Sequence, residues 1–138
     1  MFCRLRSGGS FKHLSTRGFW WHETASRFGP HPTNDAVLLL DEPFSSLDFD
    51  VKLKVQRYLI DYQHRGGTTI ILVTHDIEDA IALSNEVIVL SSKPANVKAV
   101  IAIDLGIGKR DPIEARKSPR FTQYFARIWD EIKYLDDE

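Results

Sequence analysis

A short apolar run, Ala36-Val37-Leu38-Leu39-Leu40, ends in two adjacent acids, Asp41 and Glu42, followed by Pro43. A run of this kind suits a strand buried on both faces, as in a parallel sheet. Two acids at its carboxyl end are physically odd unless they have work to do. In open α/β sheets the ligand sits just beyond the carboxyl ends of the strands. Two carboxylates there can hold a hard cation and orient a water, which is what phosphoryl transfer needs. A second apolar run, Thr68 to Val73, ends in Thr74-His75-Asp76. An imidazole at the end of the adjacent strand can reach the same mouth of the sheet and hydrogen-bond a phosphate oxygen or an attacking water. Taken singly, the acids could merely end a strand and His75 could be an ordinary strand-end histidine. The order and spacing of the elements together, with Phe44-Ser45-Ser46-Leu47-Asp48 between them, favour the chemical reading.

These residues need a scaffold, and the chain divides into three zones. Residues 1–35 are irregular, with six Gly and Pro residues, an aromatic cluster Phe19-Trp20-Trp21 and no sustained period of two or 3.6. From Ala36 the pattern changes. The first apolar strand is followed by a helical stripe of Val51, Val55, Tyr58, Leu59 and Tyr62, which Gly66-Gly67 ends. The second strand, rich in β-branched residues, leads to Asp76 as cap of a short helix through about Leu83. Val87 to Leu90 is a third strand, and Val97 to Ile103 a fourth, joined to the third by a turn around Pro94-Ala95-Asn96. Strands alternating with helices predict an α/β fold with right-handed βαβ connections and a mostly parallel sheet. In the third zone, residues 106–117 read as a polar connection. Ser118-Pro119 reads as a helix start, and Phe121, Tyr124, Phe125, Ile128, Ile132 and Leu135 as one helical stripe.

The motifs carry a specific resemblance. Leu38-Leu39-Leu40-Asp41-Glu42-Pro43, Ser46-Leu47-Asp48 and Thr74-His75-Asp76 resemble the Walker B motif, the D-loop and the H-loop of ABC-transporter ATPases. The resemblance runs from about Ala36 to the C-terminus. It implies a partial P-loop NTPase (ABC-type) nucleotide-binding domain with flanking helices over residues 36–138. It further implies that Asp41 holds Mg²⁺, that Glu42 is the catalytic carboxylate polarising the attacking water, and that His75 contacts the γ-phosphate of ATP. Asp48 would reach across a dimer interface towards the ATP site of a second ATPase subunit. Within the family, Asp41 to Asp48 and the tail Asp111-Pro112, Ser118-Pro119-Arg120-Phe121 and Ile128-Trp129 are most similar to importers of the nitrate, sulfonate and taurine group. The implied function is ATP hydrolysis driving solute import, by a dimer docked on transmembrane subunits at the cytoplasmic face of the cell membrane.

The sequence also departs from that family. The phosphate loop G-x-x-x-x-G-K-[ST] (Walker A) is missing: the one Gly-Lys pair, Gly108-Lys109, is followed by Arg110 and lies after the acidic strand. No glutamine loop is identifiable. The family signature L-S-G-G-Q is matched only in part by Arg6-Ser7-Gly8-Gly9-Ser10. Ser7, Gly8 and Gly9 are thus candidate contacts to a partner's γ-phosphate, or simply a flexible segment. They also stand further from Asp41 than the family spacing allows. A truncated or frame-disrupted gene product, with family sequence resuming near Asn34, is one expectation. A non-catalytic remnant or protein-interaction module, binding partners through an exposed sheet edge, is the alternative to a working transport ATPase. A missing central strand would leave backbone groups unpaired.

Composition bounds the rest. The 138 residues suit one domain, with 43% hydrophobic and 27% charged residues and a formal net charge of -1. That balance points away from a nucleic-acid partner. A single cysteine, Cys3, excludes an internal disulfide and suits a reducing compartment. No apolar run reaches the length of a membrane span. His22-Glu23 lacks the second histidine of a zinc-protease motif, position 26 being Ser. Cys3, His13, His22 and His31 match no ligand spacing. Lys109, Arg110, Arg116, Lys117 and Arg120, diluted by Asp111 and Glu114, read as a solvated connection.

Overall fold

The computed structural model describes residues 2–5, 10–13, 36–92 and 94–133. Along the chain these form β1 (Phe2–Leu5), β2 (Ser10–His13), β3 (Ala36–Asp41), α1 (Phe49–Gly66) and β4 (Thr69–Val73). They continue with α2 (Ile77–Leu83), β5 (Glu86–Leu90), β6 (Val97–Ala102), α3 (Pro112–Lys117) and α4 (Phe121–Lys133). The six strands lie in one sheet in the order β2-β3-β4-β1-β5-β6.

The α/β class agrees with the periodicities, but the sheet is not mostly parallel. β2 with β3 and β3 with β4 pair in parallel, whereas β1 with β4, β1 with β5, and β5 with β6 pair antiparallel. β4 and β5 therefore run the same way with one strand position between them, which β1 fills in the opposite direction. The crossover through α2 skips the position that β1 fills. β6 is antiparallel because it returns from β5 through the short connection at Pro94-Ala95-Asn96, too short for a crossover. β1 and β2 fall in the zone where the residues show no strand period. Their pairing partners, not their own pattern, place them.

Burial alternates along the central strands. Leu38, Leu40, Ile70, Leu72, Val87 and Val89 are buried in one core with Ile101, while Leu39, Ile71, Val73 and Ile88 at the intervening positions are only part-buried. The continuous apolar runs suggested burial on both faces; among the described residues only one face is fully covered. That cover comes from Val55, Leu59, Ile60 and Tyr62 of α1, Ile77 and Ala80 to Leu83 of α2, Ala115 of α3, and Phe121 and Ile128 of α4. On α1 the buried face differs from the expected stripe. Val51 and Tyr58 are exposed, and Leu53, Gln56 and Ile60 take their place.

Helix ends follow the cap residues closely. Gly67, at φ 59°, closes α1 in the left-handed region. Asp76 caps α2, its carboxylate accepting from Glu78 N and Asp79 N. The stretch expected as a polar connection contains α3. Asp111 caps it by accepting from Ile113 N and Glu114 N, and Pro112 occupies its first turn. Ser118 ends α3, and its hydroxyl donates to Leu105 O at 2.7 Å and accepts the Arg120 N–H at 3.3 Å just before the last helix. Much of the basic stretch is also structural. Arg110 donates to Ile81 O and Ser84 O at the end of α2, and Arg120 pairs with Asp104 at 2.6 Å. No helix among the described residues is long and apolar enough to cross a membrane.

Candidate active site

β3 and β4 are parallel neighbours, with Asp41 opposite Val73. This register brings their carboxyl ends to one mouth of the sheet. Glu42 N donates to Val73 O at 2.8 Å, which extends the ladder one residue past β3. Glu42 then takes a left-handed backbone, φ 46°, the only positive φ at a non-glycine among the described residues. A bulky L-residue adopts this conformation only where its surroundings enforce it, and such strain concentrates at functional sites.

That turn swings the Glu42 carboxylate onto the end of β4. Its Oε1 accepts the His75 backbone N–H at 3.0 Å and lies 2.8 Å from His75 Nδ1. The imidazole remains open, with 82% of the side chain exposed. Nε2, on the opposite side of the ring from Nδ1, is the nitrogen free of the Glu42 contact. Thr74 and Asp76 brace His75 from both sides, since Asp76 N donates to Thr74 Oγ1 at 3.0 Å.

Asp41, at the end of β3, is exposed, and no side chain among the described residues engages its carboxylate. Asp48 is also exposed. It stands at the N-cap of α1 but makes no side-chain cap hydrogen bond. At the mouth itself, Glu42 is engaged by His75 and Asp41 is open. No group of three or more His, Cys, Asp or Glu residues among the described residues could hold a metal ion. A Mg²⁺ here would depend on one carboxylate with waters and phosphate oxygens, a donor set this ion accepts; Asp41 fits that requirement.

The structure thus brings Asp41, Glu42 and His75 together, with Asp48 at the start of the following helix. Ser7, Gly8 and Gly9 lie outside the described residues, as do Phe19-Trp20-Trp21, His22-Glu23 and His31.

Behind the mouth lies a cluster that the motif reading missed. Asp79, 1% exposed, receives Lys52 Nζ at 2.7 Å, Gln56 Nε2 at 2.9 Å and Arg116 Nη2 at 2.9 Å. Lys52 also reaches Asp76 at 2.9 Å. Burial pulls the Lys52 ammonium down, but hydrogen bonds and charge from Asp79 and Asp76 more than offset this and hold it above its ordinary value. Burial likewise works against ionised Asp76, yet Lys52 and the N–H groups of Asp79 and Glu78 keep its carboxyl below the usual range. For Asp79, burial and the nearby Asp76 charge push the carboxyl up, against Lys52 and Gln56. Helical spacing was the available signal: Lys52 and Gln56 are four apart, Asp76 and Asp79 three apart, so each pair shares a helix face.

No family model matches the chain. An uncharacterised ABC transporter ATP-binding protein of Bacillus subtilis is 38% identical over 105 residues, 76% of this chain and 40% of that protein. An aliphatic sulfonates import ATP-binding protein of Pseudomonas savastanoi is 41% identical over 88 residues, 62% of this chain and 36% of that protein. A nitrate import ATP-binding protein of Synechocystis is 37% identical over 96 residues, 67% and 36% of the two chains. The chain therefore spans about two fifths or less of the length of these curated relatives.

Proposed function

From the premise that this chain belongs with the ATP-binding proteins of ABC transporters, we propose that it carries the water-activating half of an ATP-hydrolysing site. The observation that supports this most directly is the contact of Glu42 Oε1 with both the N–H and Nδ1 of His75, at the shared end of two parallel strands. In this reading Glu42 is the general base that takes a proton from the attacking water. His75 holds the opposite side of the reacting phosphate through its outward-facing Nε2. Asp41 would hold Mg²⁺, which would supply charge neutralisation at the phosphates. Asp48, whose carboxylate makes no cap hydrogen bond to its own helix, would act across an interface with a second ATPase subunit. Ser7, Gly8 and Gly9 are candidates for the γ-phosphate contact from a partner.

The similarity to nitrate and sulfonate import proteins supports a place in a solute importer, docked on transmembrane subunits at the cytoplasmic face of the membrane. A second reading has its own support. The 138 residues contain no G-x-x-x-x-G-K-[ST] run, so this polypeptide by itself would lack the cradle for the β- and γ-phosphates. It would then be a non-catalytic remnant with the site's second half absent or supplied by another chain.

Two measurements separate these readings. Titration calorimetry of the purified chain with Mg²⁺-ATP gives no micromolar binding if the chain lacks a phosphate cradle; such binding would remove the remnant reading. In a chimera, residues 36–133 replace the matching stretch of the Bacillus subtilis relative. Its Mg²⁺-dependent ATP hydrolysis should survive, and Asp41→Asn should raise the Mg²⁺ concentration required by about tenfold. A chimera that folds and binds ATP but cannot hydrolyse it would overturn the proposed roles.

A further inference from the structure

Two non-covalent links bracket the mouth of the sheet. The first joins the ends of β3 and β4 directly, Glu42 to His75. The second lies behind it and joins the helices that follow those strands, Lys52 of α1 to Asp76 and Asp79 of α2. Lys52 N donates to Asp48 O at 2.8 Å, so Lys52 closes the first hydrogen-bonded turn of α1. Asp76 immediately follows His75 and caps α2. One ammonium thus connects the turn that begins with Asp48 to the turn that presents His75.

The link is anchored in the interior. Asp79 is buried, and Gln56 and Arg116 hold the oxygen that Lys52 does not use. His75, in contrast, has Glu42 as its one polar partner among the described residues, and its side chain is mostly exposed. An exposed contact of this kind is worth little by itself, so its geometry depends on how firmly the flanking turns are held.

We infer that Lys52 is a positioning residue, whose bridge to Asp76 and Asp79 seats His75 on the Glu42 carboxylate. The role rests on the ATPase reading for its catalytic meaning, since it sets the placement of the proposed base and phosphate contact. An ammonium suits the task because its three donors can serve two carboxylates from one point. Methionine would keep the packing of the stem and lose the bridge; arginine would retain the charge and enough donors to span both acids.

The test uses the full chain without nucleotide, followed by NMR. In Lys52→Met, the His75 backbone N–H should exchange with solvent roughly tenfold faster, the loss expected for one local hydrogen bond. The His75 imidazole nitrogen resonances should move towards those of Glu42→Gln. Leu40 and Leu72 amides in the adjoining strands should keep their protection to within about twofold, and Lys52→Arg should restore His75. Should Lys52→Met unfold, Asp76→Asn serves instead: asparagine still caps α2 but removes the charge that Lys52 grips, and the same His75 changes are expected. Wild-type His75 exchange and imidazole resonances in Lys52→Met, or in Asp76→Asn if the first variant unfolds, would overturn the inference. Failure of the chimera to hydrolyse ATP would remove the ATPase reading without touching these signals, so the two failures are distinguishable.

Discussion

Glu42 Oε1 accepts the main-chain N–H of His75 at 3.0 Å while facing its Nδ1 at 2.8 Å. A single carboxylate oxygen thereby fixes both the backbone and the ring of a residue thirty-three positions away. Among the described residues the second oxygen of Glu42 makes no hydrogen bond; in the proposed reading it would take the proton of the attacking water.

Replacing Glu42 by Gln keeps an oxygen for the His75 N–H and removes the basic charge. In the chimera, hydrolysis should fall by about 10²–10⁴-fold, the usual contribution of a general base, with ATP binding retained. Steady-state turnover with a nucleotide-binding titration reads both; unchanged turnover would exclude Glu42 as the base.

The left-handed backbone at Glu42, φ 46°, predicts an inverted substitution effect. Glycine normally weakens a structured position relative to alanine, but here it escapes the Cβ penalty. Glu42→Gly should be more stable than Glu42→Ala by about 1 kcal/mol, measured by urea unfolding of both variants. The opposite order would show that position 42 is not strained.

Asp79 should be the most sensitive carboxylate for stability. It is buried with three donors directed at it, so Asp79→Ala leaves Lys52 and Arg116 with a lost partner in the interior. We expect a cost of about 3 kcal/mol, seen as a lower urea midpoint at unchanged slope. A loss below about 1 kcal/mol would mean the cluster behaves as a surface pair.

Asp111 tests the pH dependence. Its hydrogen bond from Arg57, helped by the Ile113 and Glu114 N–H groups, holds its carboxyl below the ordinary range despite some burial. A depressed carboxyl stabilises the fold above the unfolded-state value, and that contribution disappears as pH falls through the folded value. Asp111→Ala should cost about 1 kcal/mol at neutral pH, as for a lost helix cap. The difference from wild type should shrink as the pH drops below the normal aspartate range. A constant difference across that titration would assign the effect to something other than the ionised cap.

The residues with the strongest local signals were legible without coordinates. Leu38 to Pro43 and Thr68 to Asp76 announced two strands, and Gly67 and Asp76 stand where their cap signals placed them. The helix α3 was missed although Asp111-Pro112 is a strong start signal, because the surrounding charges read as solvated loop. All five basic residues there instead engage backbone carbonyls or carboxylates, and a pattern of single residues cannot show which partner a long side chain will find. Lys52 and Asp79 were passed over for the same reason, being ordinary charges until two helices bring them together.

The sequence alone determined which residue types stand at the ends of β3 and β4, because strand period and cap preference are local properties of consecutive residues. Tertiary structure decided that β1 lies antiparallel between β4 and β5, that Glu42 turns left-handed, and that Lys52 bridges two acids. Each of these depends on a partner distant along the chain, and pairing across such distances is fixed only when the sheet and its helices pack.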